Sequence, residues 1–90
     1  MRRAAKRDRS EKAIIETLRV SGWSVLQLSM ANGPDLLAAK HGQAVLIECK
    51  TGTAKVKPGQ CAWHASWRGC PVVILRSVED AAQLYKALGR

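Results

Sequence analysis

The sequence predicts an α/β domain in which a mixed β-sheet is flanked by helices. Apolar residues recur with helical spacing near both ends of the chain, whereas short apolar runs with strand character lie between them. The predicted order is α-β-β-β-α-β-α, which is typical of a sheet with helices packed against it. The fourth strand, in "CPVVILR", is apolar enough to lie inside the sheet.

The first helix is expected to begin after Ser10, a favourable N-cap residue, and to end near Val20, with Gly22 as a terminator. Its apolar stripe consists of Ile14, Ile15 and Leu18. Glu11 lies on the same stripe and should point inward, whereas Glu16 falls on the solvent side. An inward-facing acid suggests a function, but a first-turn glutamate favoured by the helix dipole is an equal alternative.

Three strands are expected before the second helix: Trp23–Ser29, Asp35–Ala39 and Ala44–Lys50. The turn residues of "MANGP" separate the first two strands. The short "KHGQ" connection, centred on His41 and Gly42, predicts that the second and third strands form an antiparallel hairpin.

Two further helices are expected in the second half of the chain. Pro58 suits the first turn of a helix that should end near Arg68. Trp63 and Trp67 share one face of this helix, so we expect them to pack in the core or in a dimer interface rather than to stack on nucleobases. The last helix has Ser77 as its N-cap and Gly89 as its stop.

Ninety residues are enough for one small domain, which we assign to residues 10–90, after a basic N-terminal extension over residues 1–9. Fifteen Lys and Arg residues against seven Asp and Glu residues give a formal net charge of +8. This surplus favours a polyanionic partner, with nucleic acid first and a membrane surface second. A surplus that serves only solubility is the alternative.

The cysteines indicate a cytoplasmic protein. They are three in number, and the sequence has neither a signal peptide nor an apolar run near 18 residues. We therefore expect reduced, buried thiols and no membrane contact. Cys61 and His64 lack the paired cysteines of a zinc site, so a metal-thiolate site is not expected. His64 follows Gln60 by one helical turn and could approach a functional site with it, but we favour a structural histidine with satisfied hydrogen bonds.

Charged residues stand where two of the apolar strands begin and end. Glu48 and Lys50 project from one face of the third strand, because side chains alternate across a strand. The hairpin places Asp35 level with that strand end, so two carboxylates and an ammonium should converge. Like charges held together need a cation between them, and carboxylate oxygens suit Mg²⁺ or Mn²⁺. With a lysine beside it, such a site is suited to phosphodiester hydrolysis.

The alternative interpretation of these residues is structural. "PD" is a common turn dipeptide, and a glutamate two residues before a lysine occurs often by chance. Asp35 would then be an unrelated turn residue, and Glu48 and Lys50 would form a surface ion pair.

Pro34-Asp35 followed by Glu48-Cys49-Lys50 resembles the PD-(D/E)XK nuclease superfamily. The segments "IECKTG", "KPGQ" and "PVVILRSVEDA" resemble its VRR-NUC branch, in the small stand-alone form of phages and bacteria. "SEKAIIETLRVSGW" resembles the first helix of archaeal-type Holliday junction resolvases.

The resemblance covers nearly the whole chain from Ser10 onward. It implies a restriction-endonuclease-like fold and a homodimer that cleaves branched DNA with Mg²⁺, or with Mn²⁺ in its place, leaving a 5′-phosphate. The protein would work in the cytoplasm of a bacterium or of a phage-infected host cell.

The resemblance also implies a set of metal ligands. Asp35 and Glu48 would bind the metal directly, together with the backbone carbonyl of Cys49. Glu11 would bind it directly or through water. Cysteine replaces the commoner aliphatic residue between Glu48 and Lys50, but only its carbonyl is needed.

The remaining roles concern water and DNA. Lys50 would position the attacking water, and Gln60 would reach the active site from the second helix, with an ordinary first-turn polar residue as its alternative. Phosphate contacts would come from basic residues of the N-terminus and of the loop after the third strand, namely Arg2, Arg3, Lys6, Arg7, Arg9, Lys55 and Lys57.

Two other functions stand as alternatives, and the second of them is disfavoured. A non-catalytic, basic DNA-binding module would bind DNA without metal and cleave nothing. A restriction-like nuclease that reads base sequence would need a separate reading element, for which the chain leaves no room.

Overall fold

The computed structural model describes residues 10–50 and 55–88. Its helices are α1 (Glu11–Val20), α2 (Pro58–Ser66) and α3 (Val78–Ala82), followed by a 3₁₀ helix (Leu84–Leu88). Its strands are β1 (Ser24–Gln27), β2 (Leu36–Lys40), β3 (Gln43–Cys49) and β4 (Val72–Leu75). The element order and the α/β fold class are as predicted.

The four strands form one mixed sheet in the order β1-β2-β3-β4. The first three strands are antiparallel neighbours, and β4 runs parallel to β3. Within residues 10–50 and 55–88, β4 is therefore an edge strand, and the prediction that it lies inside the sheet is wrong. Apolar side chains indicate that the faces of a strand are buried. They do not indicate whether other strands pair with both of its hydrogen-bonding edges. Leu75 is buried, but Ile74 is 37% exposed.

The β2–β3 hairpin sets the register of the sheet. Its two loop residues, His41 and Gly42, have φ values of 53° and 78°. Positive φ at both positions is the signature of a type I′ turn, whose twist matches that of the paired strands. Leu36 consequently pairs with Ile47, and the backbone N–H of Asp35 donates to the Ile47 carbonyl at 2.8 Å. Asp35 thus lies beside the end of β3, as predicted.

The core lies between the sheet and the packed helices α1 and α3. Helix α1 contributes the predicted stripe, in which Ile14 and Leu18 are fully buried. Leu36 and Ile47 are fully buried in the sheet beneath it. Burial of one such side chain contributes roughly 1.5–3 kcal/mol to stability.

Helix α2 buries none of its residues against the described part of the chain. Trp63 is partly buried, Trp67 is 39% exposed, and their rings stack with centroids 5.0 Å apart. The expectation of a packed core at these residues is therefore wrong, and a dimer interface remains a prediction. The helix, "PGQCAWHAS", has few large apolar residues and so lacks the broad stripe that core-facing helices carry.

The C-terminal helix is shorter than predicted. Its N-cap is confirmed, because the Ser77 side chain accepts a hydrogen bond from the Asp80 backbone N–H. Helix α3 ends at Ala82, however, and a 3₁₀ helix continues the chain. Residues three apart align in a 3₁₀ helix, so the buried Leu84 and the neighbouring Ala87 face the core together. The predicted stop, Gly89, lies outside the described residues.

The three thiols differ in burial. Cys49 is buried, but Cys61 is exposed and Cys70 is half-buried, so the expectation of buried thiols holds for Cys49 alone. None of the helices in the described ranges has the length and apolar character needed to cross a bilayer.

Two leucines in paired strands provide a test of the core. Leu36 is fully buried and Leu26 is 61% exposed. Leu36→Ala leaves a cavity, and we expect it to lower the free energy of unfolding by about 2–5 kcal/mol. Leu26→Ala is the matched control, with an expected loss below about 1 kcal/mol. Urea denaturation of both variants checks this, and equal losses would contradict the burial described above.

Candidate active site

Asp35 and Glu48 lie side by side where the hairpin opens. The backbone N–H of Cys49 donates to Asp35 Oδ2 at 2.8 Å, which fixes the aspartate against the end of β3. Glu48 is 1% exposed, and its side chain points away from that of Cys49 because side chains alternate along the strand. Lys50 follows, with Nζ 3.7 Å from Glu48 Oε2. The predicted convergence of two carboxylates and one ammonium is therefore present.

Gln60, in the first turn of α2, joins the acid to the lysine. Its Nε2 donates to Glu48 Oε2 at 2.6 Å. Its Oε1 accepts from Lys50 Nζ at 2.9 Å and from the Lys57 backbone N–H at 3.1 Å. Lysine and backbone N–H are donors only and carboxylate is an acceptor only, so these partners determine the orientation of the amide. The predicted position of Gln60 at the site is thus observed.

The environment of Glu48 raises the pKa of its carboxyl to about 7. Burial is the largest cause, followed by the negative charge of Asp35, and a hydrogen bond with the Asp35 side chain acts in the same direction. Lys50 and the Gln60 amide lower this pKa but do not outweigh burial and repulsion. One ammonium therefore does not compensate the two carboxylates, and the site favours an additional positive charge, either a proton or a cation.

Glu11 approaches Asp35 from the other face of the sheet. It is 2% exposed, as its position on the stripe of α1 predicts, and its Oε2 accepts a hydrogen bond from Gln27 Nε2 at 3.0 Å. Oxygen atoms of Glu11 and Asp35 and the Cys49 sulfur lie within 4.8 Å of one another. Asp35 therefore stands between Glu48 on one side and Glu11 on the other. The contact of Gln27 and the proximity of the thiol were not predicted, because only the tertiary fold brings them here.

Asp35 and Glu48 line a cleft of about 280 Å³ at the end of β3. Besides the predicted residues, Met30 and Asn32 line it from the loop that precedes Pro34. Asn32 has a left-handed φ of 62°, which asparagine tolerates better than most residues. Its side chain lies against Gly59, where an added Cβ would stand 2.6 Å from Asn32 Oδ1. The "NGP" turn before Asp35 was the only sequence signal for this wall.

His64, one helical turn after Gln60, also faces Glu48. Its Nε2 lies 3.9 Å from Glu48 Oε1, and neither atom has a hydrogen-bond partner within the described part of the chain. The expectation of a structural histidine with satisfied hydrogen bonds is therefore wrong for Nε2. The i, i+4 spacing from Gln60 was the available signal, because residues so spaced share a helix face.

The predicted phosphate contacts are only partly described. Lys55 and Lys57 are exposed, and Lys57 lines the cleft. The remaining residues of this prediction, together with the proposed 1–9 extension, lie outside the described residues: Arg2, Arg3, Lys6, Arg7 and Arg9.

The side chains present fit a divalent cation. Asp35, Glu48 and Glu11 offer carboxylate oxygens, the ligands that hard cations prefer. Glu48 Oε1 is buried without a hydrogen-bond partner among residues 10–50 and 55–88. An unpartnered buried carboxylate oxygen is costly unless a cation or a proton satisfies it. A cation at this point would lie beside Lys50 in an open cleft. Together they could bind an anionic ligand such as a phosphate.

Comparison with known proteins identifies a domain of similar fold. One solved structure, described as a "VRR_NUC domain", matches with a TM-score of 0.72 and 26% sequence identity. The match covers 87% of this chain and 91% of that structure. No family model and no curated protein matches the sequence. The prediction of a VRR-NUC family domain with a restriction-endonuclease-like fold is therefore confirmed, and this family points to a nuclease.

Proposed function

We propose that the domain is a divalent-metal-dependent endonuclease that hydrolyses phosphodiester bonds of branched DNA, in the manner of a Holliday junction resolvase, and leaves a 5′-phosphate. The observation that carries the proposal is the undercompensated pair of Asp35 and Glu48, held with Lys50 in an open cleft. Two like charges held together, with Glu48 buried, destabilise a fold unless a cation lies between them.

Mg²⁺, or Mn²⁺ in its place, would be held by Asp35, Glu48 and the backbone carbonyl of Cys49, with Glu11 as a further ligand. When bound, the cation supplies positive charge where negative charge develops on the phosphate. Glu11 approaches from the α1 side and Glu48 from the α2 side of Asp35, so the carboxylates close on the site from both faces of the sheet.

Lys50 and Gln60 would act on the attacking water. The Lys50 side chain is 11% exposed, so its ammonium is largely shielded and restricted in direction. The Lys50 ammonium has three N–H donors, and one of them donates to Gln60 Oε1. The other two are left for a water molecule and a phosphate oxygen. In this role Lys50 orients the nucleophile, and Gln60 is a positioning residue that acts through Lys50 and Glu48.

DNA binding would rest on phosphate contacts. Lys57 lines the cleft, Lys55 is exposed beside it in sequence, and the N-terminal basic residues add to the net charge of +8. Contacts of this kind recognise backbone shape rather than base sequence. A four-way junction has two-fold character and needs two opposed cuts, so a homodimer suits it. The exposed face of α2, with Trp67, is available for a second subunit.

The first prediction concerns Asp35. Asp35→Asn keeps a hydrogen-bond acceptor for the Cys49 N–H but removes a charged metal ligand, so cleavage should fall by a factor of about 10³ or more, while DNA binding is retained. Nicking assays with Mg²⁺ and gel-shift assays with EDTA measure the two quantities. Glu79→Gln, at an exposed position of α3, is the control and should cleave normally. Full activity of Asp35→Asn would refute the assignment.

The second prediction concerns pH. The folded state holds the Glu48 proton up to pH about 7, whereas the unfolded chain releases it near its ordinary value of 4.5. The folded state thus binds more protons between these values, and the contribution of Glu48 to stability is lost as pH rises through about 7. Urea denaturation in EDTA should show this loss, and Mg²⁺ should offset it. Glu48→Gln cannot ionise, so it should have a smaller decrease; an unchanged pH slope would contradict the pKa.

The third prediction concerns the substrate. Four-way junction, flap, splayed and linear duplex DNAs, each incubated with Mg²⁺ and with EDTA, should show metal-dependent cleavage of the junction in preference to the linear duplex. Binding of all four DNAs with no cleavage of any would favour a non-catalytic module. Cleavage of linear duplex at one base sequence would instead indicate a sequence-reading nuclease.

A further inference from the structure

Helix α2 aims an imidazole nitrogen at an unpartnered oxygen of the proposed cation site. His64 Nε2 and Glu48 Oε1 are both buried and lack hydrogen-bond partners in the described residues. They lie 3.9 Å apart, beyond the range of about 2.7–3.2 Å for N–H···O bonds. The Glu48 side chain is 2% exposed and that of His64 is 23% exposed, so bulk water has little access to the gap.

The surroundings hold both groups in this arrangement. Glu48 Oε2 accepts from Gln60 and lies 3.7 Å from Lys50 Nζ, whereas no donor in the described residues reaches Oε1. The same bond from Gln60 ties α2 to the site one turn before His64. The His64 ring also meets Trp63 edge-on, with centroids 5.8 Å apart at 76°. The histidine is thus placed by its helix and by an aromatic neighbour.

We infer that His64 supplies an imidazole nitrogen to the divalent cation at Glu48, and that the site therefore binds a transition-metal ion such as Mn²⁺ in preference to Mg²⁺. This inference rests on the proposed function only in requiring that Glu48 holds a cation. It would add a nitrogen ligand beside Glu48 Oε1, the carboxylate oxygen that lacks a hydrogen-bond partner in the described residues.

The separation of the two atoms and their ligand chemistry both support this site. A gap of 3.9 Å between a nitrogen and an oxygen that lack hydrogen-bond partners in the described residues would accommodate a cation held by both atoms. Mg²⁺ demands oxygen ligands and gives up its water reluctantly, whereas imidazole strengthens binding of first-row transition metals. A mixed oxygen and nitrogen site therefore shifts selectivity away from Mg²⁺.

The test measures metal binding directly on the full-length protein. Electron spin echo envelope modulation of the Mn²⁺ complex should show coupling to a histidine ¹⁴N nucleus. Calorimetric titrations with Mn²⁺ and with Mg²⁺ give the two affinities. In His64→Asn the nitrogen coupling should disappear, and Mn²⁺ binding should weaken by at least about tenfold, with Mg²⁺ binding changed by less than about threefold.

The chain offers a matched control, because it has two histidines. His41→Asn alters the exposed turn residue, at a positive φ that asparagine tolerates, and should leave the coupling and both affinities unchanged. Circular dichroism establishes that both variants are folded. The spectrum of the wild-type Mn²⁺ complex tests the inference even if His64→Asn fails to fold.

Each contrary outcome has a distinct meaning. Mn²⁺ binding that is lost in Asp35→Asn but shows no nitrogen coupling would overturn the role of His64 and leave the nuclease proposal intact. Equal weakening of Mn²⁺ and Mg²⁺ in His64→Asn, without loss of coupling, would also overturn it. Absence of binding for both ions, with no metal-dependent cleavage, would overturn the inference and the proposed function together.

Discussion

The repulsion between the Asp35 and Glu48 carboxylates is the constraint on which the rest of the site depends. The hairpin holds the two acids together, and burial of Glu48, followed by the negative charge of Asp35, raises the pKa of Glu48 to about 7. A turn at His41 and Gly42 sets this arrangement from the far end of the hairpin, since a one-residue slip would carry Glu48 to the opposite face. The register that builds the core therefore also builds the site.

Helix α2 serves the site more than it serves the core. Its contacts with the sheet include the hydrogen bond from Gln60 to Glu48 and the one from Lys50 to Gln60, while none of its residues is buried against the described residues. Because polar contacts with the site hold this helix, we expect the strength of its attachment to depend on the charge bound there. Ligand binding would strengthen its attachment, because ligands stabilise the state that binds them. The helix also carries Lys57 at its N-cap and His64 one turn beyond Gln60, so one element would link the proposed cation to the proposed phosphate contacts.

Much of this could be predicted from short-range features. Helix spacing placed Glu11 inward, and the two-residue hairpin loop brought Asp35 to Glu48 and Lys50. The misses concern features without a local signature. The apolar run of β4 did not reveal its edge position, and the stripe of Trp63 and Trp67 did not reveal that α2 lies outside the core. In each case apolar residues were visible in the sequence, but the neighbouring surface that would or would not cover them was not.

The sequence by itself determined the order of the elements, the hairpin register and the acids and lysine of the motif, because these follow from side-chain periodicity and turn chemistry over a few residues. Only the tertiary structure decided that Gln27 meets Glu11, that Asn32 walls the cleft against Gly59, and that His64 faces Glu48. These contacts join residues distant in the chain, and their distances depend on how helices dock on the sheet. The position of a docked helix depends on the total energy of many weak apolar contacts, and that total cannot be predicted from a short stretch of sequence.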